Sequence, residues 1–519
     1  MLNISEHLAP MGIIHSKTTT FMKDSKLRSI AIVGGGIAGW MSAAILSRFL
    51  QTQDIDICLI EGGEDCDSIA MYHAALPQLQ TLHETLGIDE REFLKFTRGG
   101  FKLGIQFCQW NREGGQYFHG FGGFGMPIEG VSPHHCWLKL KSFGDDIALG
   151  DYSLASVTAQ LGNFSINTKN SRALLEHGFH FDPQRYVEFL RLYAQARGVR
   201  CLAGKVVDVK LSRKNGFIQT LQLKSGQAVQ ADFFIDCSGF RASIIEQALA
   251  TGYQSWSHWL PADRAVSWSS NACEDNFLPY TKVTALPYGW QWRIPLQQST
   301  VNGLVYSSHY LSDAAAADYL QQELNGKALG SPRFSQFVAG HRKRFWNKNC
   351  LAIGFAAAFL EPLECSGIEL IQNGVLRLLQ LFPDKRCDLA LSAEYNRKTL
   401  EEVCRVRDLI VLHYATCAIH SELWQYCKHM ILPPELERKL KVFASSGHVP
   451  LHREDFFQEP SWVCVLVGQN IVPKRYEPSI ENIHPNTLRA FMLKRRAEIS
   501  AIARNQPSHA AFVGQYCSV

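Results

Sequence analysis

The sequence predicts an α/β fold: a Rossmann-like βαβ opening, a β-sheet region inserted behind it, and a mostly helical C-terminal part. Three observations predict it. A short β-branched run, Arg28 to Val33, meets a glycine-rich turn and then a helical run from Trp40 to Leu50. Through the middle of the chain, strand-like segments alternate with aromatic-rich loops. After Ser392 the strand signals fade and helical stretches take over.

The opening carries the first chemistry. Its turn reads Gly34-x-Gly36-x-x-Gly39, and a second strand, Ile55 to Ile60, ends at Glu61, 22 positions after Gly39. The first glycine makes the tight turn, the second lets backbone approach a pyrophosphate, and the third packs helix on strand. The pyrophosphate then sits at the helix start, over the N–H groups of Ile37 and Ala38, with Glu61 placed for the ribose hydroxyls. A strand before, a helix after and an acid at this spacing make the signal strong. Position alone does not separate FAD from a nicotinamide. Further on, the run Ala231 to Gly239 closes in Asp236-Cys237-Ser238-Gly239, a small-residue return turn shared by many FAD enzymes.

Between these landmarks His119 to Pro127 reads as loop, Asp182 to Gly198 as an amphipathic helix, and Lys205 to Val229 as paired β-hairpin strands. Pro433-Pro434 and Gln458 to Pro460 break the later helices. The predicted organisation is a flexible tail over 1–26, an FAD-binding domain with an inserted sheet and loop region over 27–400, and a helical substrate-binding region over 401–519. The chain has 519 residues, 46% of them hydrophobic and 19% charged, with a net charge of +4. No Lys/Arg run suggests a nucleic-acid partner, and no apolar stretch reaches the roughly 20 residues of a membrane span. The N-terminus has no secretory pattern, and the 15 cysteines show neither CxxC pairing nor metal-ligand spacing. A cytoplasmic protein with free thiols and no metal is the expectation.

A second motif is Gly289-Trp290-Gln291-Trp292-Arg293-Ile294-Pro295. Alternation puts Trp290, Trp292 and Ile294 on one face of a strand that Pro295 ends. The string WxWxIP resembles the signature of the flavin-dependent halogenases, the family that includes the tryptophan halogenases. Two more segments are similar to that family in the right order. Phe101-Lys102-Leu103-Gly104-Ile105-Gln106-Phe107 matches the segment of its catalytic lysine, and Glu361-Pro362-Leu363-Glu364-Cys365-Ser366-Gly367-Ile368 its halide and active-site loop. Phe118-His119, His134-His135-x-Trp137-Leu138 and Arg407-Asp408 extend the likeness from about Ile30 to Pro478.

The resemblance implies roles. Lys102 and Glu364 become the catalytic pair, and the backbone at Ser366 and Gly367 the halide site. Trp290, Trp292, Ile294 and Pro295 line a tunnel, while Gly354 and Leu363 join the FAD contacts. Reduced FAD, supplied by a separate reductase, would react with oxygen and chloride or bromide to give hypohalous acid. That oxidant would travel to Lys102 and halogenate an electron-rich, indole-like aromatic ring. A homodimer is left open. The alternatives are an FAD-dependent aromatic monooxygenase and a flavin-binding homologue without turnover.

Departures from the family pattern sharpen the expectation. Where its strap carries Gly-x-Gly-Glu-x-Thr-x-Pro, this chain reads Ala70-Met71-Tyr72-His73-Ala74-Ala75-Leu76-Pro77, and only the proline is kept. Phe355 follows Gly354 where flavoproteins place a small or polar residue, and Cys365 replaces a serine. These changes predict weak binding of oxidised FAD. The chain has no Tyr-Tyr pair, and its stretch from Ser461 to Pro478 offers aliphatic surface and one amide, Gln469. Free tryptophan, a zwitterion needing partners for both charges, is therefore not the expected substrate.

Overall fold

In a computed structural model of the chain, residues 25–62, 72–166, 175–272 and 277–518 are described. The leading strand Ser29–Val33 is buried along nearly its whole length, which is why it reads as an unbroken apolar run. It lies at the heart of a six-stranded sheet, parallel to Asp56–Glu61 on one side and Phe233–Asp236 on the other. Arg200–Ala203 and Cys350–Ala352 extend the parallel part, and Trp346–Asn347 pairs antiparallel at one edge. The helix Ile37–Phe49 crosses over between the first two strands, as expected for the βαβ opening.

The inserted region is a seven-stranded sheet. Its order is Ala328–Gln336, Arg264–Asn271, Ser299–Tyr306, Gly289–Pro295, Thr281–Leu286, Gly104–Cys108 and Gln116–Gly120. All neighbours are antiparallel except Thr281–Leu286 and Gly104–Cys108. The strand of the two tryptophans is thus central, and Trp292 is opposed by Gly303. A side chain at Gly303 would meet the Trp292 ring at 1.9 Å, so glycine there makes room for the indole. A separate small sheet has Gly178–His180 paired antiparallel with Ala74–Ala75 and with Gly100–Lys102.

The amphipathic helix is Pro183–Gln195, capped by Asp182 accepting from Gln184 and Arg185 N–H. Pro434 opens the helix Pro434–Ser446, and Gln458 immediately precedes the helix Glu459–Gly468, so both expected breaks are helix starts. Two boundaries differ from expectation. The strand Gln116–Gly120 takes in His119 and Gly120, so the aromatic loop begins at Phe121. Ladder pairing of Gly120 with Gly104 and of His119 with Ile105 overrides the local glycine signal. The expected division after residue 400 falls inside one helix, Leu389–Thr416, whose buried side chains run from Ser392 to Tyr414. One continuous hydrophobic core spans both sides of that position, from Leu27 to Val513. Among the described residues no helix is long and apolar enough to cross a membrane, and every described cysteine is free.

Candidate active site

At the dinucleotide turn, Gly34 has φ +125°, and a Cβ on it would meet the Cys237 carbonyl oxygen at 2.2 Å. Only glycine lets the first strand pass so close to the Asp236-Cys237-Ser238 turn. Gly36 opens the helix Ile37–Phe49 with no side-chain cap, and a Cβ there would face open space. The N–H groups of Ile37 and Ala38 are therefore presented at an uncapped helix start, where negative charge is favoured. Gly39 packs on the Gly34 carbonyl, and Gly354, with φ +66°, brings its turn against the Ala38 methyl group. Glu61 ends its strand as expected and accepts from Arg191 Nη2 at 2.8 Å, while the Arg191 guanidinium lies over Trp40. These residues fit the pyrophosphate and ribose of a dinucleotide.

The turn after Glu361 is more crowded. Two adjoining cavities share Tyr72, Phe355, Leu360 and Gly367 in their walls. Trp292 and Ile294 line the first, and Ser366 the second. Tyr72 stacks on Phe355 at 4.8 Å, and Phe355 on Phe240 at 4.8 Å. A Cβ on Gly367 would meet the Tyr72 ring at 2.5 Å. The altered strap thus lays an aromatic ring directly on the expected halide turn. Ala70 and Met71 of the strap lie outside the described residues. Leu363 and Trp290, expected at the FAD and in the tunnel wall, are fully buried and line neither cavity, and Pro295 closes its strand opposite Thr300.

The turn itself is a short 3-10 helix, Pro362–Glu364, followed by Cys365 at φ +57° and the helix Gly367–Gln380. A left-handed cysteine is sparsely populated backbone, held here by the packing on both sides. The helix Gly367–Gln380 packs on Ile37–Phe49, which ties this turn to the dinucleotide turn.

Two buried carboxylates flank the turn in opposite environments. Glu364, 1% exposed, is held by His119 Nδ1 at 3.0 Å and His413 Nε2 at 2.6 Å. Burial alone would raise its pKa. The two imidazoles outweigh burial and hold it down to about 2. Behind His413, Nδ1 contacts the Tyr117 hydroxyl at 3.1 Å, and Gln469 Nε2 donates to that hydroxyl at 3.1 Å. Glu361, fully buried, accepts instead from Trp290 Nε1 at 2.8 Å and from the Tyr414 hydroxyl, both at Oε2. Burial pushes its pKa up to about 7 against those two hydrogen bonds.

Lys102 ends the strand Gly100–Lys102, fully buried, with its Nζ 5.2 Å from the Phe121 ring centroid and no hydrogen-bond partner among the described residues. Phe121 is two positions beyond His119, which holds Glu364, and its N–H donates to the Leu103 carbonyl. Lys102 leads directly into the strand Gly104–Cys108, whose partner strand Gln116–Gly120 carries His119, the residue that holds Glu364. Burial, and next the nearby Lys102, push the His180 imidazole well below its ordinary range.

A family model described as tryptophan halogenase matches residues 29–485. The chain belongs to the tryptophan halogenase family. Among solved structures, a flavin-dependent halogenase from Xanthomonas campestris superposes with a TM-score of 0.91 at 37% identity, over 95% of this chain and 99% of that one. The flavin-dependent halogenase BrvH from Brevundimonas sp. BAL3 gives 0.90 at 35% identity, with the same coverage. The tryptophan 7-halogenase RebH of Lentzea aerocolonigenes is 28% identical over 88% of this chain and 92% of its own length. The protein is therefore a flavin-dependent halogenase that uses FAD and a halide.

Sequence reasoning missed His413, Tyr414 and Glu361 as parts of this site. The available signal was a His-Tyr pair directly after the apolar run Leu409 to Leu412, a buried polar dipeptide that must find partners.

Proposed function

We propose that Lys102 and Glu364 perform the halogen transfer, on a neutral electron-rich aromatic ring rather than on free tryptophan. The observations that carry this reading are a fully buried lysine amine without a partner among the described residues and a buried carboxylate clamped by two imidazoles. When bound, reduced FAD with oxygen and halide supplies hypohalous acid; Ile37 and Ala38 would hold the pyrophosphate and Ser366 with Gly367 the halide. A separate reductase delivers the reduced flavin in the cytoplasm.

Lys102 receives the oxidant, either donating a hydrogen bond to its oxygen or exchanging a proton for the halogen with loss of water. The aromatic ring takes the halogen as an electrophile, and the ring proton passes to Glu364. His119 and His413 favour the ionised carboxylate, so Glu364 waits as a proton acceptor. Trp292 and Ile294 wall the first cavity and keep water from the oxidant's path.

The surroundings of this pair are aromatic. Phe121 lies against Lys102, Phe457 lies 6.4 Å from His119, and Phe118 contacts Tyr280. In the helix Glu459–Gly468 the side chains of Trp462, Val463, Val465 and Leu466 are buried, while the amide of Gln469 is engaged by Tyr117. Glu477 is exposed and bonded to Ser479, away from the pair. Such a wall suits indole, a phenol, or the aromatic end of a larger molecule. Calorimetric titration of indole and of tryptophan, with product masses in the presence of reduced FAD, oxygen and bromide, tests this. Binding and bromination of indole are expected, and selective micromolar binding of tryptophan would contradict the substrate reading.

A further inference from the structure

The second glutamate of the turn is unused by the chemistry above, yet it is built into the site as tightly as the first. Glu361 Oε2 takes both the Trp290 N–H and the Tyr414 O–H, and Trp290 Nε1 also lies 3.2 Å from the Tyr414 oxygen. The other carboxylate oxygen, Oε1, is buried without any partner among the described residues. Trp290 in turn stands 5.8 Å from Trp292, whose ring lines the first cavity. Tyr414 is braced by Trp424 at 5.2 Å, whose own N–H is tied to the Leu286 carbonyl. The chain of contact therefore runs from Glu361 through Trp290 to the cavity wall.

We infer that Glu361 is a positioning residue for halogenation: it fixes the Trp290 indole behind Trp292, and gain or loss of its proton changes how firmly that wall is held. This rests on the reading of Trp292, with Trp290 behind it, as the wall of the oxidant's path.

The chemistry follows from the partners. With the proton on Oε1, Oε2 is a neutral carbonyl accepting two ordinary hydrogen bonds. Without it, the same two bonds become charge-assisted and stronger. No cation among the described partners offsets the ionised form. Tyr414 faces Glu361 from the helix Leu389–Thr416, Cys427 from Glu422–His429, and Trp290 from the central strand. The Glu364–His413 pair is next along the same turn. The ordinary carboxylate range is thus displaced upward to about 7, so the switch lies within working pH. Ionisation at higher pH tightens the wall, and protonation at lower pH loosens it.

The test uses the full chain labelled with 15N-tryptophan, the Trp290 indole N–H signal being identified by its loss in Trp290→Phe. Its shift is expected to move downfield as pH rises, with a midpoint near 7. Glu361→Gln keeps an acceptor oxygen for both donors but cannot ionise, and its Trp290 signal is expected to stay flat. In parallel, the ratio of halogenated product to flavin oxidised is expected to rise through the same midpoint in the wild type and not in Glu361→Gln. A Trp290 signal independent of pH, or a step that survives in Glu361→Gln, would overturn the proposal. A step in the signal with a pH-independent ratio would overturn the reading of Trp290 as the support of the wall while leaving the hold of Glu361 on it intact. Glu361→Leu, which strands both donors, is expected to lower the ratio severalfold at every pH without changing FAD affinity.

Discussion

The turn at 34–39 and the turn at 361–367 use one device, a helix start that presents backbone N–H groups, and differ in what surrounds it. Around Gly36 there is open space, no capping side chain, and an acid held aside by Arg191. Around Gly367 there is a tyrosine ring in van der Waals contact, a left-handed cysteine, and two buried carboxylates within the preceding turn. The first arrangement suits a large polyanion that stays partly solvated, for which exposed donors are sufficient. The second suits a small ion and a labile oxidant, which need a dry and crowded enclosure. Donor geometry sets which charge is bound, and the surroundings set what happens to it.

Filling the open turn should have the largest effect. Gly36→Val introduces a side chain that the protein has room for but a pyrophosphate does not. FAD affinity measured by fluorescence should fall about 100-fold or more, the equivalent of two lost charge-assisted hydrogen bonds. A loss smaller than about twofold in Gly36→Val would show that the open turn does not hold the polyanion, and the contrast between the turns would fail at its first half. At the crowded turn, Glu364→Gln keeps the size and removes the charge that His119 and His413 clamp. Halogenation should slow roughly 100-fold, as for loss of a general base, while FAD affinity stays put. The same variant isolates the effect of acid. Glu364, held down to about 2, gives stability that is present above its unfolded range near 4.5 and is lost as pH falls toward 2. Thermal unfolding of the wild type should therefore drop over that acid range more steeply than that of Glu364→Gln.

How much of this could be read from the sequence follows the same division. The βαβ opening is local: strand, turn, helix and acid lie within about forty residues, and Gly34 to Glu61 came together as expected. The tryptophan strand was legible from alternation, and Trp292 with Ile294 does line a cavity. What was not legible is contact between distant segments. His413 reaches Glu364 across 49 positions, and Tyr414 reaches Glu361 across 53, from one helix whose sequence shows that a polar pair follows an apolar run but not which distant groups it meets. Leu363 shows the converse: it shares the turn with Glu364 but points into the core, because successive residues of a 3-10 turn face different ways. The helical region likewise has no seam at 400, since the hydrophobic pattern of Leu389–Thr416 runs through it. Tyr72 was visible as a bulky residue in the strap, but its stacking on Phe355 and Gly367 required the fold.

In the proposed mechanism the oxidant is made at one place and used at another, with Lys102 acting only at the second. Lys102→Ala, given reduced FAD, oxygen, bromide and indole, separates the two places when flavin oxidation, peroxide and brominated indole are followed in one reaction. Flavin oxidation at the wild-type rate, with peroxide or free hypobromite accumulating and no brominated indole above background, is the predicted result. Wild-type yields of brominated indole from Lys102→Ala would contradict it.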